Sequence, residues 1–300
     1  MIRPQPLQPG DCVAIVSPAG AVKEPEIVTG AVATLSSWGL RAVVAPHALA
    51  RDGYYAGTIE QRTADLRAML RDDSIKAILC SYGGYGCMHL LPHFCSDIAN
   101  HPKWIIGMSD CTALLAATLS QGVISLHSPQ CRHLSENGKS ASSEHLKEIL
   151  FGRMPHYQTA PNCLNRTGEA TSVVTGGNLS LITALAGTPY DMVKPGSILF
   201  IEEVNEPAYK IERMLYTLKL SGALGSLKAL IVGCLTDCKE NLALGGTIHE
   251  IIRHMTEEYG YPVCFDFPVG HGEVNHPMPV GATATIKIKN DGVELSYTVV

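Results

Sequence analysis

In the run Trp104-Ile105-Ile106-Gly107-Met108-Ser109-Asp110-Cys111-Thr112-Ala113-Leu114-Leu115, a serine stands where a strand-like apolar stretch passes into a helix-like one. A sharp turn at such a junction exposes the hydroxyl at the end of a sheet. The amides that open the following helix then favour a developing negative charge, as in a nucleophile elbow. The match to Gly-x-Ser-x-Gly is partial, because Cys111 fills the last glycine slot, and a serine here also serves as a plain helix cap. Ser81-Tyr82-Gly83-Gly84-Tyr85-Gly86 follows a second apolar run. Its glycines allow positive φ and close backbone approach, which suits a phosphate cradle, an oxyanion-binding amide or simply a tight turn. Neither the Gly-Lys-Ser/Thr of a P-loop nor Gly-x-Gly-x-x-Gly is there. Two acids, Glu202 and Glu203, end the apolar run Ile198-Leu199-Phe200-Ile201, a place where glutamates are usually solvated and where a functional carboxylate stands out. His271, between Gly270 and Gly272, sits on a loop suited to acid–base work, one of 12 histidines.

The remaining groupings favour no metal. His249 and His254 are five residues apart, so on a helix they point about 140° away from each other, unlike a zinc-binding pair. Cys234 and Cys238 flank Leu-Thr-Asp without a second ligand pair, and Cys87 and Cys111 near the two turns read as thiols rather than nucleophiles. Neither metal nor cofactor is expected.

The elements that must position these groups alternate. Cys12–Ser17, Arg41–Ala45, Ala77–Cys80 and Lys103–Ile106 are short apolar runs, separated by segments with helical spacing over about 25–38, 59–71 and towards His93, with another helix after Ser109. Strands without a polar face, separated by helices, predict an α/β fold with a Rossmann-like parallel sheet covered on both sides and ligands at the strands' carboxyl ends. From about 132 to 167 the chain turns polar and broken around one short helix. The expected division is therefore an N-terminal domain over 1–150, a linker over 151–168 and a C-terminal domain over 169–300. In the last of these, Thr175-Gly176-Gly177-Asn178 opens a helix, strands and a helix follow over 198–232, and Asn290-Asp291-Gly292 turns a hairpin between Ala282–Lys289 and Val293–Thr298. This domain is expected to be mixed α and β.

Composition sets the outer limits. Among 300 residues, 46% are hydrophobic and 17% charged, which excludes disorder and coiled coil. A net charge of -5 without a run of Lys or Arg argues against nucleic acid or an anionic membrane as partner. The N-terminus lacks the apolar core of a secretory signal, and no stretch reaches 18 apolar residues, so a soluble cytoplasmic protein with reduced cysteines is expected.

Taken in order, Pro9-Gly10-Asp11, Ser17-Pro18-Ala19-Gly20, Gly53-Tyr54-Tyr55-Ala56-Gly57-Thr58, Gly83-Gly84-Tyr85-Gly86, Gly107-Met108-Ser109-Asp110, Gly176-Gly177-Asn178-Leu179, Phe200-Ile201-Glu202-Glu203, Glu212-Arg213-Met214-Leu215 and Gly270-His271 resemble the LD-carboxypeptidase family. These are the muramoyltetrapeptide carboxypeptidases, and the family also includes the microcin C self-immunity peptidases. The resemblance implies a nucleophile at Ser109, an acid at Glu202, a base at His271 and an oxyanion hole from the backbone amides of Gly84 and Asp110. It also implies a swivelling α/β C-terminal domain, a site between the two domains and a homodimer. The implied activity is hydrolysis of the L,D-bond that releases the terminal D-alanine of a murein tetrapeptide. The alternatives are cleavage of a peptidyl or aminoacyl nucleotide, or anion binding without catalysis. Tyr82 stands where the family commonly has an arginine and Met108 where an aromatic residue is common, two changes at the expected pocket. Arg213 is a candidate for the substrate carboxylate, but on a helix with Ile211, Met214, Leu215 and Leu218 inward it reads as structural or solvated.

Overall fold

The structure, a computed structural model, describes residues 1–298; the last two residues of the expected C-terminal domain lie outside them. In chain order the elements are β1 (Cys12–Val16), α1 (Glu26–Ser37), β2 (Arg41–Val44), α2 (Ile59–Arg71), β3 (Ile75–Cys80), α3 (Leu91–Asn100), β4 (Trp104–Gly107), α4 (Thr112–Ser120), β5 (Ser125–His127), α5 (Cys131–Asn137) and α6 (Ala141–Leu150). They continue with β6 (His156–Thr159), β7 (Gly168–Asn178), α7 (Leu179–Ala184), β8 (Ile198–Val204), α8 (Ala208–Leu220), β9 (Ala229–Thr236), α9 (Ile248–Thr256), β10 (Val263–Cys264), β11 (Met278–Val280), β12 (Thr283–Lys289) and β13 (Gly292–Tyr297). Two compact units result, one of Met1–Met154 with His276–Gly281, the other of Pro155–Asn275 with the residues from Ala282 on.

The first unit is built on the sheet β11-β5-β4-β3-β1-β2. β1 to β5 run parallel, and β11 is antiparallel to β5 at the edge. Parallel strands need helical crossovers, so helices cover the sheet, and β1 and β4 are buried along their whole length. α4 is buried from Thr112 to Leu119, which explains why its sequence has almost no polar face. α2 starts on a capping box in which Thr58 and Gln61 satisfy each other's backbone amides. β1 and β3 are neighbours, and the chain leaves the carboxyl end of β1 towards β2 on one side and, after β3, towards β4 on the other. This switch point in an open α/β sheet is where a crevice forms. The turns after β1 and β3 meet at it, with the Gly20 amide donating to the Gly83 carbonyl at 3.0 Å.

The second unit has the sheet β10-β9-β8-β7-β12-β13-β6, parallel from β10 to β7 and antiparallel from β7 to β6. β7 serves both halves. Its outer residues pair with the hairpin β12–β13, whereas Val174–Asn178 are buried beside β8. Gly176 permits the close pairing: with φ +143, a Cβ there would lie 2.0 Å from the Phe200 carbonyl oxygen.

Three sequence expectations are corrected. The stretch 151–168 is not a bare linker, since β6 within it is the edge strand on β13. Only Tyr157 of its four residues is fully buried, so the alternation was too short to register. The polar stretch before it carries two helices, α5 and α6, rather than one. The C-terminal domain is not continuous from 169 either, because His276–Gly281 completes the first unit, and Met278, Pro279 and Val280 pair with His127, Leu126 and Ser125.

Candidate active site

Ser109 occupies the turn between β4 and α4 with φ +60, a left-handed conformation that a residue with a Cβ adopts only where its surroundings enforce it. The enforcement is visible. A Cβ on Gly107 would lie 2.7 Å from the Cys111 Cβ, and the Cys111 amide donates to the Met108 carbonyl at 3.1 Å. The tight approach thus falls to the glycine before the serine, and Cys111 is tolerated in the last slot because its side chain turns into the core, 0% exposed. Ser109 itself is half-buried.

The glycine turn packs directly on this serine. A Cβ on Gly83 would lie 2.8 Å from the Ser109 Cβ and 3.0 Å from its Oγ, so only glycine fits. Gly84 and Gly86 have φ of +92 and +133. Of the two departures from the family pattern, Tyr82 is half-buried beside Gly20 and Gly84, whereas Met108 is 1% exposed and sits in the core.

In the second unit, β8 delivers Glu202 and Glu203 at its carboxyl end, where its register with β9 shifts between Ile201 and Glu203. Such an irregularity re-aims side chains, and here both carboxylates are buried, at 0% and 2% exposure. Glu202 Oε2 accepts from His271 Nδ1 at 2.6 Å. Burial pushes the His271 pKa down, but the hydrogen bond and charge of Glu202, with a smaller contribution from Glu203, outweigh it and hold the imidazole above 6.5. The loop carrying His271 lies so close that a Cβ on Gly270, φ +113, would fall 2.6 Å from the Glu202 Cβ. The Gly270 amide donates to Asn275 Oδ1 at 3.0 Å, which fixes the loop from its far end. Glu203 faces other partners: the Asn178 Nδ2, the Ser180 amide and hydroxyl, and its neighbour's amide at Val204, all within 2.7–2.9 Å. It anchors the start of α7. Burial nonetheless pushes its carboxyl up.

The other candidates disperse. His276 stands in the first unit beside His145, ring centres 5.0 Å apart, and burial with that neighbour pushes its pKa down to about 4. His249 pairs with Asp266 at 2.9 Å and His254 with Glu257 at 3.4 Å. Cys234 faces Gly272, and Cys238 lies beyond the end of β9. Cys87 and Cys111 are buried with sulfurs 4.0 Å apart. Arg213 is exposed and lies over the Tyr209 ring at 5.4 Å. Among the described residues no group of three or more His, Cys, Asp or Glu is disposed to hold a metal, and no helix is long and apolar enough to cross a membrane. No motif in the sequence marks Asn275, the Asp110 carboxylate or Arg62, the last buried in α2 at 2% exposure. A lone arginine among the helix's inward positions was the available signal.

A serine held in left-handed geometry between a strand and a helix, and a loop imidazole oriented by a buried carboxylate, are components characteristic of serine hydrolases. Residues 13–128 match the LD-carboxypeptidase N-terminal domain and residues 171–286 the LD-carboxypeptidase C-terminal domain, so the chain belongs to the LD-carboxypeptidase family. It is 35% identical to a putative carboxypeptidase of Synechocystis over 99% of this chain and 97% of that one. It is 31% identical to the murein tetrapeptide carboxypeptidase of Pseudomonas aeruginosa over 92% of both. The crystal structure of muramoyltetrapeptide carboxypeptidase from Oxalobacter formigenes superposes with a TM-score of 0.87 at 26% identity, covering 95% of this chain and 98% of that one. Both the fold and a peptidase role are supported by these relatives.

Proposed function

We propose that the protein is a serine carboxypeptidase that releases the terminal D-alanine from murein tetrapeptide, using Ser109, His271 and Glu202. The observation that carries this reading is the 2.6 Å bond from His271 Nδ1 to the fully buried Glu202. It commits Nδ1 to donation and leaves Nε2 as the acceptor, which is the tautomer a general base needs. In this mechanism His271 Nε2 takes the Ser109 proton as the hydroxyl attacks the carbonyl of the L,D-bond. Charge on the carbonyl oxygen is met by the backbone amides of Gly84 and Asp110, each contributing about 3 kcal/mol in sites of this kind. His271 then protonates the departing amine, and water hydrolyses the acyl-enzyme. Support for the substrate comes from the 31% identical murein tetrapeptide carboxypeptidase.

The test is mass spectrometry of murein tetrapeptide incubated with the parent protein and with Ser109→Ala. Loss of D-alanine with the parent alone supports the proposal. Cleavage of a peptidyl nucleotide in place of the tetrapeptide would redirect the function to self-immunity, and binding without turnover of either would leave an anion-binding protein. The proposal includes a cytoplasmic homodimer, tested by cell fractionation and by light scattering of the purified protein.

A further inference from the structure

Asp110 follows the proposed nucleophile, and its side chain does something its backbone amide does not. The carboxylate, 3% exposed, accepts from the Cys87 amide at 2.7 Å, and so ties the turn that carries Ser109 to the residue that closes the glycine turn. The glycine turn is gripped from its other side by Arg62, whose Nη1 donates to the Gly86 carbonyl at 3.0 Å and to the Pro18 carbonyl at 2.7 Å. The Arg62 guanidinium is held in turn by the Gly57 carbonyl at 3.3 Å and by the Tyr55 ring at 5.0 Å. Gly83 already touches Ser109, so a small displacement of the glycine turn moves the Gly84 amide relative to that of Asp110.

We propose that Asp110 is a positioning residue whose carboxylate, working against Arg62, locks the glycine turn onto the serine turn and thereby sets the spacing of the two oxyanion-binding amides. The inference rests on the serine-hydrolase reading above. Chemistry favours a carboxylate at this place, because it accepts and never donates when ionised, and its hydrogen-bond partners, the amides of Cys87 and Gly86 and the Cys87 thiol, are donors. Its setting is a poor one for stability. Burial pushes the carboxyl up to about 6 against the amides of Cys87 and Gly86 and the Cys87 thiol, with Cys111 adding to the rise. The Cys80 thiol, the Arg62 guanidinium and the Tyr54 hydroxyl also face it. An ionised group buried at a cost to folding marks a site shaped for function.

The test compares Asp110→Asn with the parent in tetrapeptide turnover from pH 5 to 9, in the rate of Ser109 labelling by a fluorophosphonate, and in thermal melting. Asn keeps the volume and one acceptor but carries no charge and presents an NH2. Expected are a fall in kcat of about tenfold to a hundredfold with KM within about threefold, and the same fall in labelling. Tm should be unchanged or higher. The parent's kcat/KM should fall with the square of the proton concentration at the acid end, because Asp110 and His271 must both be deprotonated, and in first order in Asp110→Asn. Parental kcat, labelling and pH order in the variant would overturn the proposal, as would a kcat loss that merely follows a lower Tm. The parent's own pH order is a second check, and first-order behaviour there also counts against it. If the parent is labelled but leaves the tetrapeptide uncut, the substrate assignment fails and the labelling rate still tests Asp110. If Ser109 is never labelled, the hydrolase reading falls and this inference with it.

Discussion

Replacing Glu202 by Gln removes one charge at a position with 0% exposure while keeping the side-chain volume. Two consequences follow from the geometry. The 2.6 Å bond from His271 Nδ1 is charge-assisted and buried, a class worth about 1.5–3 kcal/mol, which corresponds to roughly 10-fold to 150-fold in rate if it is made in full only when the imidazole is protonated. In addition, the Gln amide can turn its NH2 towards Nδ1, which places the imidazole proton on Nε2 and removes the base; in triads this costs about 10⁴. The expected fall in kcat is therefore about 10³-fold to 10⁴-fold. The His271 pKa is raised by Glu202 against burial, so with Glu202 neutral burial prevails and the acid limb of what activity remains should move to lower pH. Glu203→Gln is the control. Glu203 anchors Asn178, Ser180 and Val204 and makes no bond to His271, so its loss should lower Tm and change kcat by less than about tenfold. Steady-state assay of release of D-alanine across pH, with melting curves for both variants, decides the matter. Near-parental turnover in Glu202→Gln, an acid limb displaced upward, or the opposite ranking of the two glutamates would refute the assignment.

Ser109→Ala should retain the fold, since Ser109 is half-buried at a turn, and lose turnover by about 10⁵-fold or more; a folded variant with near-normal turnover in the same assay would exclude the serine mechanism. Gly270→Ala places a methyl 2.6 Å from the Glu202 Cβ at φ +113, so it should destabilise the protein by more than about 1 kcal/mol and separate the dyad, read as joint loss of Tm and kcat. In the proposed mechanism His271 must be neutral, with Asp110 ionised as argued above; Glu202 raises the His271 pKa from its ordinary value, so kcat/KM should be full at mildly alkaline pH and fall as pH drops through that raised pKa. Treatment with EDTA should leave turnover unchanged, and a loss restored by zinc would return attention to His249 and His254.

Much of this architecture was legible in the residues themselves. Apolar runs such as Cys12–Val16 and Trp104–Gly107 carry no polar face because parallel strands are covered on both sides, and that regularity survives any detail of packing. The helices 26–37 and 59–71 were equally readable, since amphipathic spacing and caps are local. Ser109, the pair Glu202 and Glu203, and His271 stand out as candidates because each lies where an apolar run or a glycine breaks the pattern, and the resemblance points to Glu202 of the pair. What tertiary structure decided is contact between distant segments. Neither spacing nor composition states that the 278–280 strand pairs with 125–127, or that Tyr157 makes 156–159 a sheet edge, because strand pairing is set by long-range register. Nor do they say why Gly270 is a glycine; the reason is the Glu202 side chain, 68 residues away along the chain and in contact only after folding. The resemblance pointed to Glu202 over Glu203, but the physical difference between them exists only in the fold, where, beside the shift in strand register at the end of β8, one carboxylate accepts from His271 and the other from Asn178 and Ser180.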